Sequence, residues 1–200
     1  MKIRLARITF VALFVVLFSF AARAETIPSI LDVQKRGVPF YKWELSPFIG
    51  DYMGDIFSHA LHAGGHAEFH FTRILSFGLD AGWADAQTAL DPNLYTFQGG
   101  LTFNLPAAFL SNKHTVIADL FTTIGGGLLR INRSDRADGF IGGGMKIDFE
   151  HPAWIALRVE MRNFFSSVPT ATGERFTSDL SIMVGPTFSF CSKQGSTKDQ

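Results

Sequence analysis

The stretch Ile155-Ala-Leu-Arg-Val-Glu-Met-Arg-Asn163 alternates charged and apolar side chains, and its charged positions are Arg158, Glu160 and Arg162. Successive side chains of a β-strand point to opposite sides, so a strand here has one charged face and one apolar face. A helix would scatter both sets around its axis, and the alternation therefore predicts a strand. A soluble sandwich with outward charges and a membrane barrel with inward charges both fit this stretch, and the rest of the chain decides between them.

The N-terminus has the three-part pattern of a secretory signal peptide. Basic residues at positions 2, 4 and 7 precede an apolar run over residues 8–21, and Ala22-Arg23-Ala24 places small residues before a cleavage site. The run is shorter than the roughly 20 residues of a spanning helix. We therefore predict a signal peptide over residues 1–24 and export into a bacterial cell envelope, in preference to an uncleaved membrane anchor.

Charge and cysteine content exclude several functions. The 18 Lys and Arg residues balance the 18 Asp and Glu residues, which argues against a nucleic-acid partner. The one cysteine, Cys191, can form no internal disulfide and does not follow the signal peptide, where a lipid-bearing cysteine would stand. No later apolar run is long enough to span a bilayer as a helix, so a membrane-embedded chain must cross it as strands.

Eight segments of the remaining chain show period-two patterning and are separated by turn-rich stretches. They cover residues 41–51, 60–72, 75–84, 94–105, 115–128, 139–149, 153–163 and 179–190. Most exceed the usual strand of about five or six residues, and they reach the roughly 9–11 residues of a tilted transmembrane strand. Their length favours the membrane barrel.

The joins between these segments alternate between short and long. Short turns are predicted at residues 73–74 and 150–152, and a long join at 106–114 breaks the rule. The other long, polar joins are at residues 52–59, 85–93, 129–138 and 164–178. Outer-membrane barrels place short turns in the periplasm and longer loops outside, so these four loops are the expected contact surface.

An even strand number then places both ends of the barrel in the periplasm. We predict a periplasmic N-terminal segment over residues 25–40, a transmembrane barrel over residues 41–190 and a polar periplasmic tail over residues 191–200.

The two faces of the predicted strands differ in chemistry. One face is apolar and rich in aromatic residues, whereas the other mixes charged side chains with glycine. Its glycines are Gly50, Gly64, Gly78, Gly82, Gly100, Gly125, Gly142, Gly144 and Gly185. Glycine weakens a strand and has little use on a solvent-facing sheet. A narrow closed barrel needs it, because only small residues leave room for large charged neighbours.

We therefore assign the apolar face to lipid and the charged face to the lumen. The reverse would place Arg and Lys in lipid at about 2–4 kcal/mol each near the midplane. The predicted lumen charge network is Glu44, Glu68, Asp80, Asp119, Lys146, Asp148, Arg158, Glu160 and Arg162. Side chains fill the interior of an eight-stranded barrel, so we expect a plugged barrel.

Local motifs do not favour catalysis or metal binding. His66-Ala67-Glu68-Phe69-His70 puts two histidines on one strand face, but residues two apart lie roughly 6.5–7 Å apart, which is wide for one ion. Ser58-His59 has no evident third partner. Glycine runs within residues 124–128 and 141–145 lack phosphate-loop spacing, and we expect bends or bulges there. We predict no catalytic residue, no metal and no cofactor.

Three segments carry a resemblance to a known family. Asp32-Val-Gln-Lys-Arg-Gly37, Trp43-Glu-Leu-Ser-Pro-Phe-Ile-Gly50 and Ala156-Leu-Arg-Val-Glu-Met-Arg-Asn163 resemble the myxobacterial-type outer-membrane β-barrel domain proteins, which are small eight-stranded barrels. The resemblance implies the fold and an outer-membrane location, and it implies no activity. In one departure, Phe190 is followed by the polar tail, whereas barrels commonly end on an aromatic residue.

The sequence thus predicts an all-β, eight-stranded, antiparallel up-and-down transmembrane barrel that is not an enzyme. The leading functional hypothesis is a structural or surface-recognition role with a plugged lumen. The alternatives are a narrow ion-conducting, porin-like pore and, less favoured, a membrane-embedded lipid-modifying enzyme. The expected partners are outer-membrane lipid, the barrel-assembly machinery and a protein bound at the extracellular loops.

Overall fold

A computed structural model describes residues 41–54, 59–85, 93–107, 116–131, 134–149, 154–170 and 173–190, which form a closed antiparallel barrel. Its strands are β1 (Trp43–Met53), β2 (Ala60–His70), β3 (Leu75–Asp85), β4 (Asn93–Ala107), β5 (Val116–Ile131), β6 (Ser134–Phe149), β7 (Ile155–Thr170) and β8 (Gly173–Phe190). Each strand pairs with its neighbours in chain order, and β1 pairs with β8 to close the sheet. The predicted signal peptide, the N-terminal segment and the tail lie outside the described residues.

The two ends of the barrel differ. The turn end holds the start of β1, the end of β8 and the turn over residues 71–74, where the Thr72 hydroxyl accepts hydrogen bonds from the amides of Ile74 and Leu75 at 3.2 and 3.0 Å. The opposite, ribbon end holds residues 167–170 and 173–176, which pair only with one another. We call these residues the β7–β8 ribbon.

The eight predicted strands are confirmed, but two predicted loops are wrong. Residues 129–138 and 164–178 lie mostly in strands, since β5 and β6 continue to Ile131 and from Ser134, and β7 and β8 to Thr170 and from Gly173. The pairing there places Ser166 opposite Thr177. Two strands can pair through their backbones without an alternating apolar face, so side-chain periodicity underestimated their length.

The barrel is apolar outside and polar inside, which confirms the predicted transmembrane fold class. Alternate residues of the strands are exposed apolar side chains on the outer surface, whereas buried Glu, Asp, Arg and His residues point inward. Exposed aromatic side chains encircle the turn end, at Trp43, Phe71, Phe77, Phe103, Phe149, Trp154 and Phe190. Such girdles mark the interfaces of membrane barrels. Among the described residues, no helix has the length and hydropathy needed to cross a membrane.

Inward-facing glycines leave space for aromatic rings inside the barrel. A Cβ added at Gly144 would lie 2.7 Å from Phe121 Cζ, and Cβ atoms at Gly100 and Gly125 would lie 2.9 and 2.7 Å from Phe140 ring carbons. Pairing runs without interruption through both glycine runs, so the expected bulges are absent there. These glycines leave room for the rings rather than breaking the ladder.

Replacing Gly144 with Ala tests this packing. The new Cβ would collide with the Val159 carbonyl and the Phe121 ring, and we expect a loss of about 1–3 kcal/mol in the free energy of unfolding. Gly65→Ala is the matched control, because a Cβ there meets nothing within 4 Å. The check is urea unfolding of barrels folded in detergent, followed by the gel shift between unboiled and boiled samples. Equal stability of the two variants would contradict the packing.

Candidate functional site

The centre of the lumen is a network of ion pairs that starts from strand β7. Glu160 bridges its two neighbours on the same face, with Oε2 2.9 Å from Arg158 Nε and Oε1 2.5 Å from Arg162 Nε. Arg158 Nη1 lies 2.5 Å from Glu68 Oε2. Arg162 holds Asp80 through two contacts, Nη1 to Oδ2 at 2.8 Å and Nη2 to Oδ1 at 3.1 Å. These contacts cross the lumen, since β7 does not pair with β2 or β3.

His66 closes this network into a ring. Its Nδ1 lies 2.7 Å from Asp80 Oδ1 and its Nε2 lies 3.0 Å from Glu68 Oε2. We name this closed set the salt-bridge ring; its members are Glu68, His66, Asp80, Arg162, Glu160 and Arg158. All six are buried.

The charges of the salt-bridge ring balance. Both nitrogens of His66 face carboxylate oxygens, so both donate hydrogen bonds and the imidazole is positively charged. Three carboxylates then face two guanidinium groups and one imidazolium. A buried charge is tolerated when it is paired and hydrogen-bonded, and the ring meets that condition with no net charge.

Aromatic rings support both arginines. Arg158 Cζ lies 4.1 Å from the centroid of Phe121, and Arg162 Cζ lies 4.8 Å from that of Phe140. A desolvated cation over an aromatic face is stabilised by about 2 kcal/mol. The inward glycines therefore position the rings, and the rings position the guanidinium groups.

A second cluster occupies the turn end, and we call it the acidic mouth. Lys146 Nζ lies 2.9 Å from Glu44 Oε1 and 3.8 Å from Asp148 Oδ1. Asp119 is the cross-strand partner of Lys146. His70 Nε2 lies 3.5 Å from Glu44 Oε2 and 4.0 Å from Glu68 Oε1. The side chain of Asp148 is 27% exposed, so solvent reaches the acidic mouth from this end of the barrel.

The structure therefore places the nine predicted network residues in two groups. Glu68, Asp80, Arg158, Glu160 and Arg162 belong to the salt-bridge ring, whereas Glu44, Asp119, Lys146 and Asp148 belong to the acidic mouth. The two histidines of the His66–His70 motif contact different oxygens of Glu68, and each has a further carboxylate partner, Asp80 for His66 and Glu44 for His70. Ser58 lies outside the described residues, and His59 pairs with Asp51 on the surface at 2.8 Å.

Sequence reasoning missed the apolar filling of the ribbon end. We call it the apolar cap, and its members are Tyr52, Ala60, Ala84, Leu94, Leu129, Phe140 and Phe164. The Tyr52 hydroxyl donates to Asp179 Oδ2 at 2.9 Å, and its ring stacks on Phe164 with centroids 5.8 Å apart. The alternation of side chains along a strand could have identified these residues, because each lies an even number of positions from a polar, inward-facing residue of its own strand.

The six charged side chains of the salt-bridge ring are buried in the lumen. The cavity beside this ring has a volume of about 10 Å³ and is lined by ring members with Ser46 and Met183. One water molecule needs roughly 10–15 Å³ on this measure. The described lumen thus has three layers, namely the acidic mouth, the salt-bridge ring and the apolar cap.

Comparison with known proteins supports the fold. No family model matches the chain, and no curated protein matches its sequence. The crystal structure of neisserial surface protein A matches with a TM-score of 0.51 at 12% identity, over 74% of this chain and 96% of that one. The N-terminal β-barrel domain of Pseudomonas aeruginosa OprF matches with a TM-score of 0.43 at 13% identity, over 73% and 96%. At these identities the likeness is one of fold alone.

Removing the Glu160 carboxylate tests the ring. Glu160→Ala leaves the ring with one excess positive charge in a buried site, which typically costs roughly 3–5 kcal/mol. Glu160→Gln keeps the side-chain volume and should lower the free energy of unfolding by less, because its amide oxygen still accepts a hydrogen bond. Val159→Leu, on the outer surface, should change the urea midpoint little. A Glu160→Ala barrel as stable as the parent would mean that water reaches the ring.

Proposed function

We propose that this chain is an integral outer-membrane β-barrel protein with a structural or surface-recognition role, and that it is neither a channel nor an enzyme. The observation that carries the proposal is the set of buried, paired side chains that point into the lumen, inside an apolar outer surface. All three lumen layers consist of the chain's own side chains, so the molecule presents its ends, and not a passage, to the two sides of the membrane.

Three features support the outer-membrane location. Exposed apolar side chains cover the outside of the closed sheet, and a closed sheet leaves no unpaired edge in lipid. The fold is shared with neisserial surface protein A. The predicted signal peptide agrees with this location.

The β7–β8 ribbon is the proposed recognition surface. It extends beyond the last residues that pair with β6 and β1, so it stands clear of the rest of the sheet. Phe176 is 68% exposed on it and stacks on Phe165, with ring centroids 5.9 Å apart. Arg175 is exposed beside Phe176. An exposed aromatic residue next to a cation is a suitable contact for a protein or a polar surface ligand.

The pore and enzyme alternatives are disfavoured by the same packing. An ion would have to cross the apolar cap and then displace paired charges of the salt-bridge ring. His62 Nδ1 lies 2.9 Å from Ser181 Oγ, which is the pairing that a serine nucleophile needs. Ser181 is fully buried, however, and Phe48 and Tyr52 pack edge-on against His62, so this pair is part of the packed interior.

Cysteine labelling on intact cells tests the location and the orientation together. In a Cys191→Ser background, Phe176→Cys should react with a membrane-impermeant maleimide, because the ribbon faces outward. Thr72→Cys, in the exposed turn at the other end, should react only after the outer membrane is permeabilised. Labelling of Thr72→Cys alone on intact cells would reverse the orientation, and recovery of the protein in the soluble periplasmic fraction would contradict the membrane location.

A further inference from the structure

We propose that the acidic mouth holds one divalent transition-metal ion, coordinated by Glu44 Oε2, Glu68 Oε1 and His70 Nε2. The three residues are buried, and their candidate ligand atoms all lie within 4.8 Å of one another. They come from two adjacent strands, since Glu44 and Glu68 are direct cross-strand partners on β1 and β2. His70 follows Glu68 by two positions on the same inward face.

The first argument is the Glu44 oxygen that faces His70. This residue is 2% exposed, and its Oε1 is contacted by Lys146 and by the Ser189 hydroxyl. No described residue donates a hydrogen bond to its Oε2. A buried carboxylate oxygen without a hydrogen-bond donor is destabilising, and Glu44 Oε2 lies 3.5 Å from His70 Nε2.

The second argument is the charge balance. The salt-bridge ring is neutral by itself, so Arg158 is matched within it. In the acidic mouth, the carboxylates of Glu44, Asp119 and Asp148 face one described cation, Lys146. Carboxylates therefore outnumber the lysine in this cluster. A divalent cation at this position would add positive charge beside them.

The third argument is the spacing of the donors. A tetrahedral ion with bonds of about 2.1 Å sets its ligands about 3.4 Å apart. His70 Nε2 lies 3.5 Å from Glu44 Oε2 and 4.0 Å from Glu68 Oε1, so small side-chain rotations bring all three atoms into this geometry. One imidazole and two carboxylates suit Zn²⁺ better than Ca²⁺, which prefers six or more oxygen ligands. A water molecule would supply the fourth ligand.

The metal set differs from the His66–His70 motif. His66 cannot contribute, because both of its nitrogens are bound to carboxylates in the salt-bridge ring. The neighbouring strand supplies Glu44 instead, and Glu68 contributes the oxygen that is not bound to Arg158. The Ser76 hydroxyl donates to the same Glu68 oxygen and would hold this carboxylate in place.

Titration of the detergent-folded barrel with ZnCl₂ tests the proposal. We expect one ion per barrel by calorimetry and a rise in the thermal unfolding midpoint, with no comparable effect from CaCl₂ or MgCl₂. His70→Gln, which leaves the pair of Glu44 and Lys146 intact, should weaken Zn²⁺ binding at least tenfold, and Glu44→Gln should do the same. His59→Gln, at an exposed histidine near the ribbon end, should bind Zn²⁺ as the parent does.

Several results would overturn the proposed metal site. Absence of Zn²⁺ binding by the parent would do so, as would undiminished binding by His70→Gln and Glu44→Gln, or loss of binding in His59→Gln. Co²⁺ bound to the parent gives a second readout that needs no variant to fold. The intense visible absorption of a tetrahedral ion supports the site, and the weak absorption of an octahedral ion contradicts it.

Discussion

The requirement that every buried charge find an opposite partner governs this barrel. Eight strands enclose a narrow interior, and the charged side chains of the salt-bridge ring are buried within it. The salt-bridge ring meets the requirement with three carboxylates and three cations in a closed circuit. Its contacts tie β7 to β2 and β3 across the lumen, which links opposite walls that the backbone ladder does not join.

The salt-bridge ring depends on residues that carry no charge. Glycines at 100, 125 and 144 leave the space in which Phe121 and Phe140 lie, and these rings carry Arg158 and Arg162 on their faces. A glycine-rich strand is weak on its own. Here its weakness is offset by aromatic and ionic contacts that exist only in the closed barrel.

The sequence predicts the strands and the inward face well because both follow from period-two alternation. The alternation within a single strand is enough to predict that Arg158, Glu160 and Arg162 share one face. Their partners could not be read in the same way, because the contact between Arg162 and Asp80 depends on the curvature of the closed sheet and joins residues far apart in the chain. The apolar cap was missed for a related reason, since Tyr52, Phe140 and Phe164 break the rule that inward residues are polar. The β7–β8 ribbon was missed because backbone pairing continues where side-chain alternation stops.

The central claim is that side chains close this lumen, and ion conductance across a planar bilayer tests it most directly. The folded parent protein, inserted beside an open porin that reports successful reconstitution, should give no channel steps above the bare membrane. The apolar cap and the salt-bridge ring would each block an ion. Stable, reproducible conductance steps from the parent would show a continuous water path through the barrel and would contradict the claim.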